Sequence, residues 1–465
     1  MFEMRKHQSD ALEVITNSTV SKGRVVIPTG GGKTMVEAYA LRDIINKDLK
    51  NIHLVLAPRI ALVNQLINEY RHFIGQNYLA VAFHSSARTE PDYTKVRWSE
   101  TSTTNPNVVQ EEYARAQRMG KDLVIFSTYA SCHKLIGIEF DSLIADESQY
   151  CVTENYFNAV DMIQADKKLF FTATEKHTTS EFGRGLNNTT VFGDVLYQVA
   201  PQTLIDKGYI VPPRLHVMSA EAKSESYTVI DECVQIAKKQ AELTASTPVT
   251  KILFAMKGTD DVKNIAENIN DIRAAMPGFR VFTIVSNTKY GAQVDGKKIP
   301  RGNFLKELRE CDNALIFHYD ILSEGIDIDG ITGVAILRNM NHAKLLQTIG
   351  RSVRVYKANP SKKTQAWVSV VTINGNDETA DNLARTIKTI REGGFEVNIE
   401  NVEFTDNDGL GIADPDSIDP VVGPTDKKRS NATLERVLHE IEMSEYWTSI
   451  MRTDDVDDVS PKLEF

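Results

Sequence analysis

The feature that most restricts the fold is a run of eight residues, Ile27-Pro28-Thr29-Gly30-Gly31-Gly32-Lys33-Thr34. It lies between an apolar stretch ending at Ile27 and a helical-looking segment carrying Val36, Tyr39, Ala40 and Ile44. Consecutive glycines let the backbone curl until its N–H groups converge, and a helix starting there adds the positive end of its dipole. The result is a cradle for phosphate. Lys33 is expected to neutralise the outer phosphates of a nucleotide and the Thr34 hydroxyl to ligate Mg2+. The strict pattern has glycine where Ile27 stands, so the match is to a relaxed form. An incidental glycine turn is the plain alternative, and the strand and helix on either side argue against it.

The surrounding chain repeats one grammar. Apolar runs rich in Val, Ile and Leu (24–27, 53–57, 123–126, 142–145, 168–171) alternate with helical stretches, as buried parallel strands with crossover helices do. After Gly208-Tyr209-Ile210-Val211-Pro212-Pro213 the grammar restarts with runs at 252–255, 280–285, 314–318, 334–337 and 366–371. The expected fold class is therefore α/β, with a first lobe over 1–213, a second over 214–371 and a small, mostly helical C-terminal extension over 372–465. In that extension Leu383, Ile387 and Ile390 recur at helical spacing before Gly393-Gly394, which predicts a helix with a glycine C-cap. A second helix is expected within 431–450.

Composition narrows the setting. At 465 residues, with 42% hydrophobic and 25% charged, the chain is ordinary for a water-soluble protein, and no apolar run reaches the ~18 residues of a membrane span. The start, MFEMRKHQSD, has no apolar stretch to act as a signal peptide, and four cysteines without CxxC spacing fit a reducing compartment. A cytoplasmic protein without a membrane partner is expected. The net charge of −10 is carried by residues 401–465, with 16 acidic against 6 basic groups, so the first 400 residues balance to zero. That acidic tail is a candidate for a protein partner or for competing with an anionic ligand.

Two further strings complete a chemistry. Leu143-Ile144-Ala145-Asp146-Glu147-Ser148-Gln149 is an apolar strand delivering adjacent carboxylates, Asp146 suited to Mg2+ and Glu147 to activating water. Alone it reads equally as a solvated turn. Gln347-Thr348-Ile349-Gly350-Arg351-Ser352-Val353-Arg354 sets two arginines three apart, on one face of a predicted helix, where both could reach a γ-phosphate. Alone it reads as a basic surface helix.

Taken in order, these strings and several smaller ones resemble superfamily 2 helicases and translocases, with two tandem RecA-like phosphate-loop NTPase lobes, over roughly residues 1–371. Arg5-Lys6-His7-Gln8 is similar to the adenine-reading motif, Ala57-Pro58-Arg59 through Gln65 to motif Ia, and Phe126-Ser127-Thr128-Tyr129 to the motif that follows it. Thr172-Ala173-Thr174 resembles motif III, Ile252 to Ala255 motif IV, and Leu322-Ser323-Glu324-Gly325-Ile326-Asp327 motif V. The resemblance implies an ATP-hydrolysing enzyme using Mg2+. It assigns Arg5, Gln8, Thr29 to Thr34, Gly325 and Asp327 to nucleotide and Asp146, Glu147, Gln347, Arg351 and Arg354 to catalysis. Pro58, Arg59, Gln65, Thr128 and Ser323 would touch nucleic acid, and Gln149, Thr172 and Thr174 would couple the two. Asp-Glu-Ser-Gln departs from the commoner Asp-Glu-Ala-Asp and Asp-Glu-Ala-His forms. The forms of motifs V and VI look most like the DNA-directed branch, which includes restriction-enzyme motor subunits, RecG-type motors and phage UvsW-type branch-migration helicases. A monomeric, phage-encoded DNA helicase of recombination, repair or replication is the expectation. An RNA helicase and a non-unwinding clamp on duplex DNA are the alternatives.

Outside these motifs, Asp295-Gly296 predicts a tight hairpin turn in an insertion between Ser286 and Asn303, made basic by Lys289, Lys297, Lys298 and Arg301. Arg88, Lys95 and Arg97 beside Trp98 form a second basic cluster. No nuclease, methyltransferase or zinc-type spacing occurs.

Overall fold

The structure, a computed structural model, describes residues 3–45, 51–75, 77–85, 101–178, 180, 182–220, 228–244, 249–285, 291–319, 330–340, 342–354, 366–373, 377–403, 436–439 and 441. Two sheets carry it. The first consists of β1 (Lys22–Val26), β2 (Ile52–Ala57), β3 (Tyr78–Phe83), β4 (Thr101–Thr103), β5 (Asp122–Thr128), β6 (Glu139–Ala145), β7 (Gln164–Thr172) and β8 (Asp194–Gln198), in the order β4-β3-β5-β2-β6-β7-β1-β8. Every pairing in it is parallel. Strands β2 and β5 are buried along their whole length, which is why they read as unbroken apolar runs: a strand covered on both faces has no polar alternation.

The second sheet begins at Pro213. It holds β9 (Pro213–Ala220), β10 (Thr250–Ala255), β11 (Arg280–Ile284), β12 (Ala292–Val294), β13 (Lys297–Lys298), β14 (Asn313–His318), β15 (Ile331–Ile336), β16 (Ala366–Ile373) and β17 (Asn398–Glu403), in the order β13-β12-β11-β14-β10-β15-β16-β9-β17. Strands β12 and β13 are antiparallel and joined by Asp295 at φ 50° and Gly296 at φ 81°, the paired left-handed residues of the expected hairpin. Asp295 is held in place by accepting from the Val281 N–H at 2.9 Å and the Arg280 Nε at 2.9 Å, so the hairpin is laid along the sheet edge.

The extension over 372–465, expected to be mostly helical, holds both a helix and a strand in its described part. Helix Asp377–Glu392 forms as expected and stops at Gly394, φ 78°, with the Phe395 N–H donating back to the Ile390 carbonyl. The chain then supplies β17, which pairs parallel with β9 over six residues and so enlarges the second sheet. Of the helix expected within 431–450, only positions 436–439 and 441 are described, with Val437 buried.

One apolar cluster runs between the sheets, joining Ile27, Val36 and Phe171 to Leu204, Ile210 and Val211 and on to Leu215, Val217 and Ile349. Separate clusters cover the outer face of each sheet. The connection between lobes is therefore packed core. Among the described residues no helix is long and apolar enough to cross a membrane.

Candidate functional site

In a parallel sheet all strands point the same way, so the loops leaving their carboxyl ends gather along one edge. Here those loops are Ile27 to Gly32 after β1, Pro58-Arg59 after β2, Tyr129 onward after β5, Asp146-Glu147 after β6 and Ala173 onward after β7. Strings distant in sequence meet for that reason alone.

The glycine loop is tight. Gly30 and Gly32 have φ of 85° and 80°, and a Cβ on Gly31 would lie 2.5 Å from Ile27 Cγ2. The N-terminal helix Lys6–Asn17 braces it. The Arg5 guanidinium donates to the Gly30 carbonyl at 3.2 Å, and His7 Nε2 lies 2.7 Å from the Gly31 carbonyl. The Gln8 amide donates to the Gly31 and Gly32 carbonyls at 3.2 and 3.1 Å, while its oxygen accepts from the Arg5 N–H at 2.8 Å. Gln8 thus spends its amide on the loop and on its own helix. The Arg5 guanidinium stacks on Tyr209, 4.7 Å from the ring centre.

Helix Lys33–Ile45 starts where the loop ends. Lys33 Nζ lies 2.9 Å from Asp146 Oδ1 and 2.8 Å from Glu147 Oε1. Burial alone would lower its pKa, but Asp146, Glu147 and Glu37 raise it above the ordinary lysine range. Burial likewise works against a charge on Glu147. Lys33 and hydrogen bonds from Lys33, Gln149 and Gln347 nevertheless hold that carboxyl below its usual value. Glu147 has φ 50° and ψ 50°, a left-handed conformation that costs a non-glycine residue about 1–2 kcal/mol. Asp146 is fixed from three sides: its N–H donates to the Leu56 carbonyl at 2.9 Å, its Oδ1 accepts the Glu147 N–H at 2.8 Å, and its carbonyl accepts the Tyr129 hydroxyl at 2.6 Å.

The residues expected to couple the two sites form a chain. Gln149 donates to Glu147 Oε2 at 2.6 Å and accepts from the Thr172 hydroxyl at 2.7 Å; the Thr174 N–H donates to that same hydroxyl at 3.0 Å. A relay therefore runs from β6 to the loop after β7.

The second lobe closes on this site through helix His342–Ser352. A Cβ on Gly350 would lie 2.5 Å from Thr29, so the helix rests on the glycine loop, and Gln347 hydrogen-bonds with Glu147 and with Tyr150. The expectation that both arginines share one helical face needs correction. The helix stops at Ser352, and Arg354 instead forms an isolated antiparallel bridge with Ile210 while Val211 donates to the Val353 carbonyl at 2.8 Å. The Ile210-Val211 backbone captures the groups that another helical turn would have used. Arg351 remains in the last turn and is buried.

The residues expected to touch nucleic acid divide. Arg59 is exposed at the start of helix Ile60–Ile74, with Pro58 beside it, and the Gln65 amide donates to Glu69 at 2.6 Å. Thr128 is buried and its hydroxyl donates to Ser131 at 3.1 Å, and His133 and Lys134 are exposed nearby. Ser323, Gly325 and Asp327 lie outside the described residues, as do Lys289 and the Trp98 cluster.

Sequence reasoning missed Glu37. It is fully buried in the helix after the loop, one turn from Lys33, with Tyr70 donating to it at 3.4 Å. Burial, then the charge of Asp146, push its carboxyl well above the ordinary range. Its signal was the i, i+4 spacing from Lys33.

Thr34 and Asp146 offer a hydroxyl and a carboxylate oxygen, a donor set that suits Mg2+, beside a loop whose glycines leave no room for a Cβ against Ile210, Ile27 and Gln8.

Residues 1–177 match the family described as the res subunit of type III restriction enzymes. No curated protein matches the chain in sequence. Among solved structures, the ATP-dependent type ISP restriction-modification enzyme LlaBIII bound to DNA is similar with a TM-score of 0.68 at 13% identity, covering 87% of this chain and 32% of that one. A putative HsdR subunit fragment of a type I restriction enzyme from Vibrio vulnificus YJ016 gives 0.52 at 16%, covering 86% and 68%. Mss116p bound to ssRNA and AMP-PNP gives 0.57 at 13%, covering 87% and 75%. The chain thus spans about a third of the length of LlaBIII. The fold is that of two tandem RecA-like lobes, and the first lobe is similar to the res subunit of type III restriction enzymes over residues 1–177.

Proposed function

We propose that the protein is an ATP-driven motor that moves along or remodels DNA, with nucleotide held between its two lobes. The observation that carries this reading is the hydrogen bond from Gln347 of the second lobe to Glu147 of the first. A carboxylate shared across the cleft ties hydrolysis to lobe closure. On nucleotide binding Lys33 exchanges its two carboxylate partners for phosphate oxygens. Mg2+ when bound, on Thr34 and Asp146, supplies charge stabilisation to the phosphates. Glu147, held as a carboxylate, accepts the proton of the attacking water. Arg351 and Arg354 supply the transition-state charge that fingers provide elsewhere, worth about 10³ to 10⁵ in rate. The relay of Gln149, Thr172 and Thr174 carries the state of Glu147 to the loop after β7.

Two findings support DNA as the track: the res-subunit match over the first lobe and the DNA in the LlaBIII complex. The likeness to Mss116p favours RNA as the second reading. ATPase assays with DNA and with RNA decide between them. Lys33→Ala and Glu147→Gln are expected to abolish turnover, Glu147→Gln while still binding nucleotide; wild-type rates in either variant overturn the assignment.

A further inference from the structure

The segment Tyr209-Ile210-Val211, which joins the two lobes, has little slack. Before it, helix Pro201–Asp206 closes with the Gly208 N–H donating to the Ile205 carbonyl at 2.8 Å and the Tyr209 N–H to the Leu204 carbonyl at 2.8 Å. After it comes Pro212, whose ring fixes its own φ, and then β9, which is already paired at Pro213 with Ala366. The segment is a short strap tied at both ends.

Each residue of the strap touches a different part of the site. The Arg5 guanidinium lies 4.7 Å from the centre of the Tyr209 ring and the His7 ring 5.5 Å from it. Those same two side chains reach consecutive carbonyls of the glycine loop, Arg5 that of Gly30 and His7 that of Gly31. Ile210 covers Gly30 directly: a Cβ there would lie 2.8 Å from Ile210 Cγ2 and 3.6 Å from Arg354 Cγ. The Ile210 backbone bridges to Arg354, and the Val211 N–H donates to the Val353 carbonyl at 2.8 Å. Arg354 is therefore carried by the strap, and the strap meets the loop and its brace at two points, the Ile210 methyl on Gly30 and the Tyr209 ring beside Arg5 and His7.

The second point matters because Arg354 lies beyond the end of its helix, which stops at Ser352. Its placement against the glycine loop depends on the strap, and a misplacement of about 1 Å is enough to cost roughly 10²-fold in rate. An aliphatic contact such as that of Ile210 has no preferred direction. A cation over a ring face has one. We propose that Tyr209 is a positioning residue for ATP hydrolysis: by holding Arg5 and His7 against its ring it registers the strap, and with it Arg354, on the glycine loop. The inference rests on the motor reading, in which Arg354 supplies transition-state charge.

A residue that acts through Arg354 matters to the transition state and not to bound product, and this provides the test. Tyr209→Leu leaves an apolar side chain against the core and removes the ring, whereas Tyr209→Phe keeps the ring. The full chain is titrated with Mg2+ and a fluorescent ADP, alone and with aluminium fluoride to mimic the transferring phosphoryl group. The bonds of Arg5, His7 and Gln8 to the loop survive in both variants, so ADP alone should bind each as it binds wild type. Y209L is expected to weaken the aluminium fluoride complex, and to lower kcat, by the same factor of about 2- to 30-fold with KM for ATP little changed, and Y209F to match wild type in both. In an R354A background Y209L should make no further difference to that complex. An aluminium fluoride complex as tight in Y209L as in wild type, an equal loss for ADP alone, a Y209F as impaired as Y209L, or a loss that persists in R354A overturns the proposal while the motor reading stands. A wild-type chain that hydrolyses ATP with neither DNA nor RNA overturns both.

Discussion

Gly32 offers the sharpest test of how the phosphate loop is held. At φ 80° an alanine there costs about 1–2 kcal/mol in backbone strain. Its Cβ would also lie 2.2 Å from Gln8 Nε2, which drives the amide off the Gly31 and Gly32 carbonyls. Each of those hydrogen bonds is worth about 0.5–1.5 kcal/mol net, so Gly32→Ala should destabilise the first lobe by about 2–5 kcal/mol. The two contributions separate in a second background. With Gln8→Ala already in place the clash and the bonds are both gone, and Gly32→Ala should then cost only the strain. The double-mutant cycle is therefore expected to show a coupling of about 1–3 kcal/mol. Urea melts of wild type, both single variants and the double variant measure it, with nucleotide affinity as a parallel readout. Equal costs of Gly32→Ala in the two backgrounds would refute the bracing of the loop by Gln8.

Other expectations follow from the same site. Gln149→Ala removes the bonds to Glu147 and Thr172; hydrogen bonds to charged groups contribute about 1.5–3 kcal/mol, so kcat for ATP hydrolysis at a saturating concentration of whichever nucleic acid stimulates it should fall about 10- to 100-fold with KM for ATP little changed. Steady-state kinetics under that saturation checks this, and a change confined to KM contradicts the relay. Glu37→Gln tests the buried acid. A carboxyl raised in the folded state contributes stability that is complete below its unfolded value near ~4.3 and is lost as pH rises through the folded one. The glutamine has no proton to lose, so the unfolding free energy of the variant, measured by urea melts, should gain on wild type as pH rises from about 6 to 9, by at most ~1.4 kcal/mol per pH unit. A constant difference across that range would show that Glu37 is ionised.

The parts of this molecule that a reader of the sequence could find are those whose partners are close along the chain or repeat a period. The glycine loop and the Asp146-Glu147 pair each sit at a strand end, and a strand with both faces buried advertises itself as an apolar run, as β2 and β5 do. Edge strands have no such signal. β8 is five residues of which only two positions are even half-buried, and β17, Asn398–Glu403, is mostly polar; neither was legible, although β17 extends the second sheet beyond the expected boundary of the lobe. Glu37 was hidden for another reason. A glutamate on a helix reads as a solvent-facing residue until the tertiary fold turns that face toward Asp146. The segment from Gln347 to Arg354 shows the limit most clearly, because its spacing is that of a helix and the helix does begin. Where it ends is decided by Ile210-Val211, more than 140 residues earlier, whose backbone pairs with Val353-Arg354. Local spacing could not foresee that competition. Its outcome places Gln347, rather than either arginine alone, at the point where the second lobe reaches Glu147. The sensitivity of hydrolysis to lobe closure must then be sought at that amide as well as at the arginines.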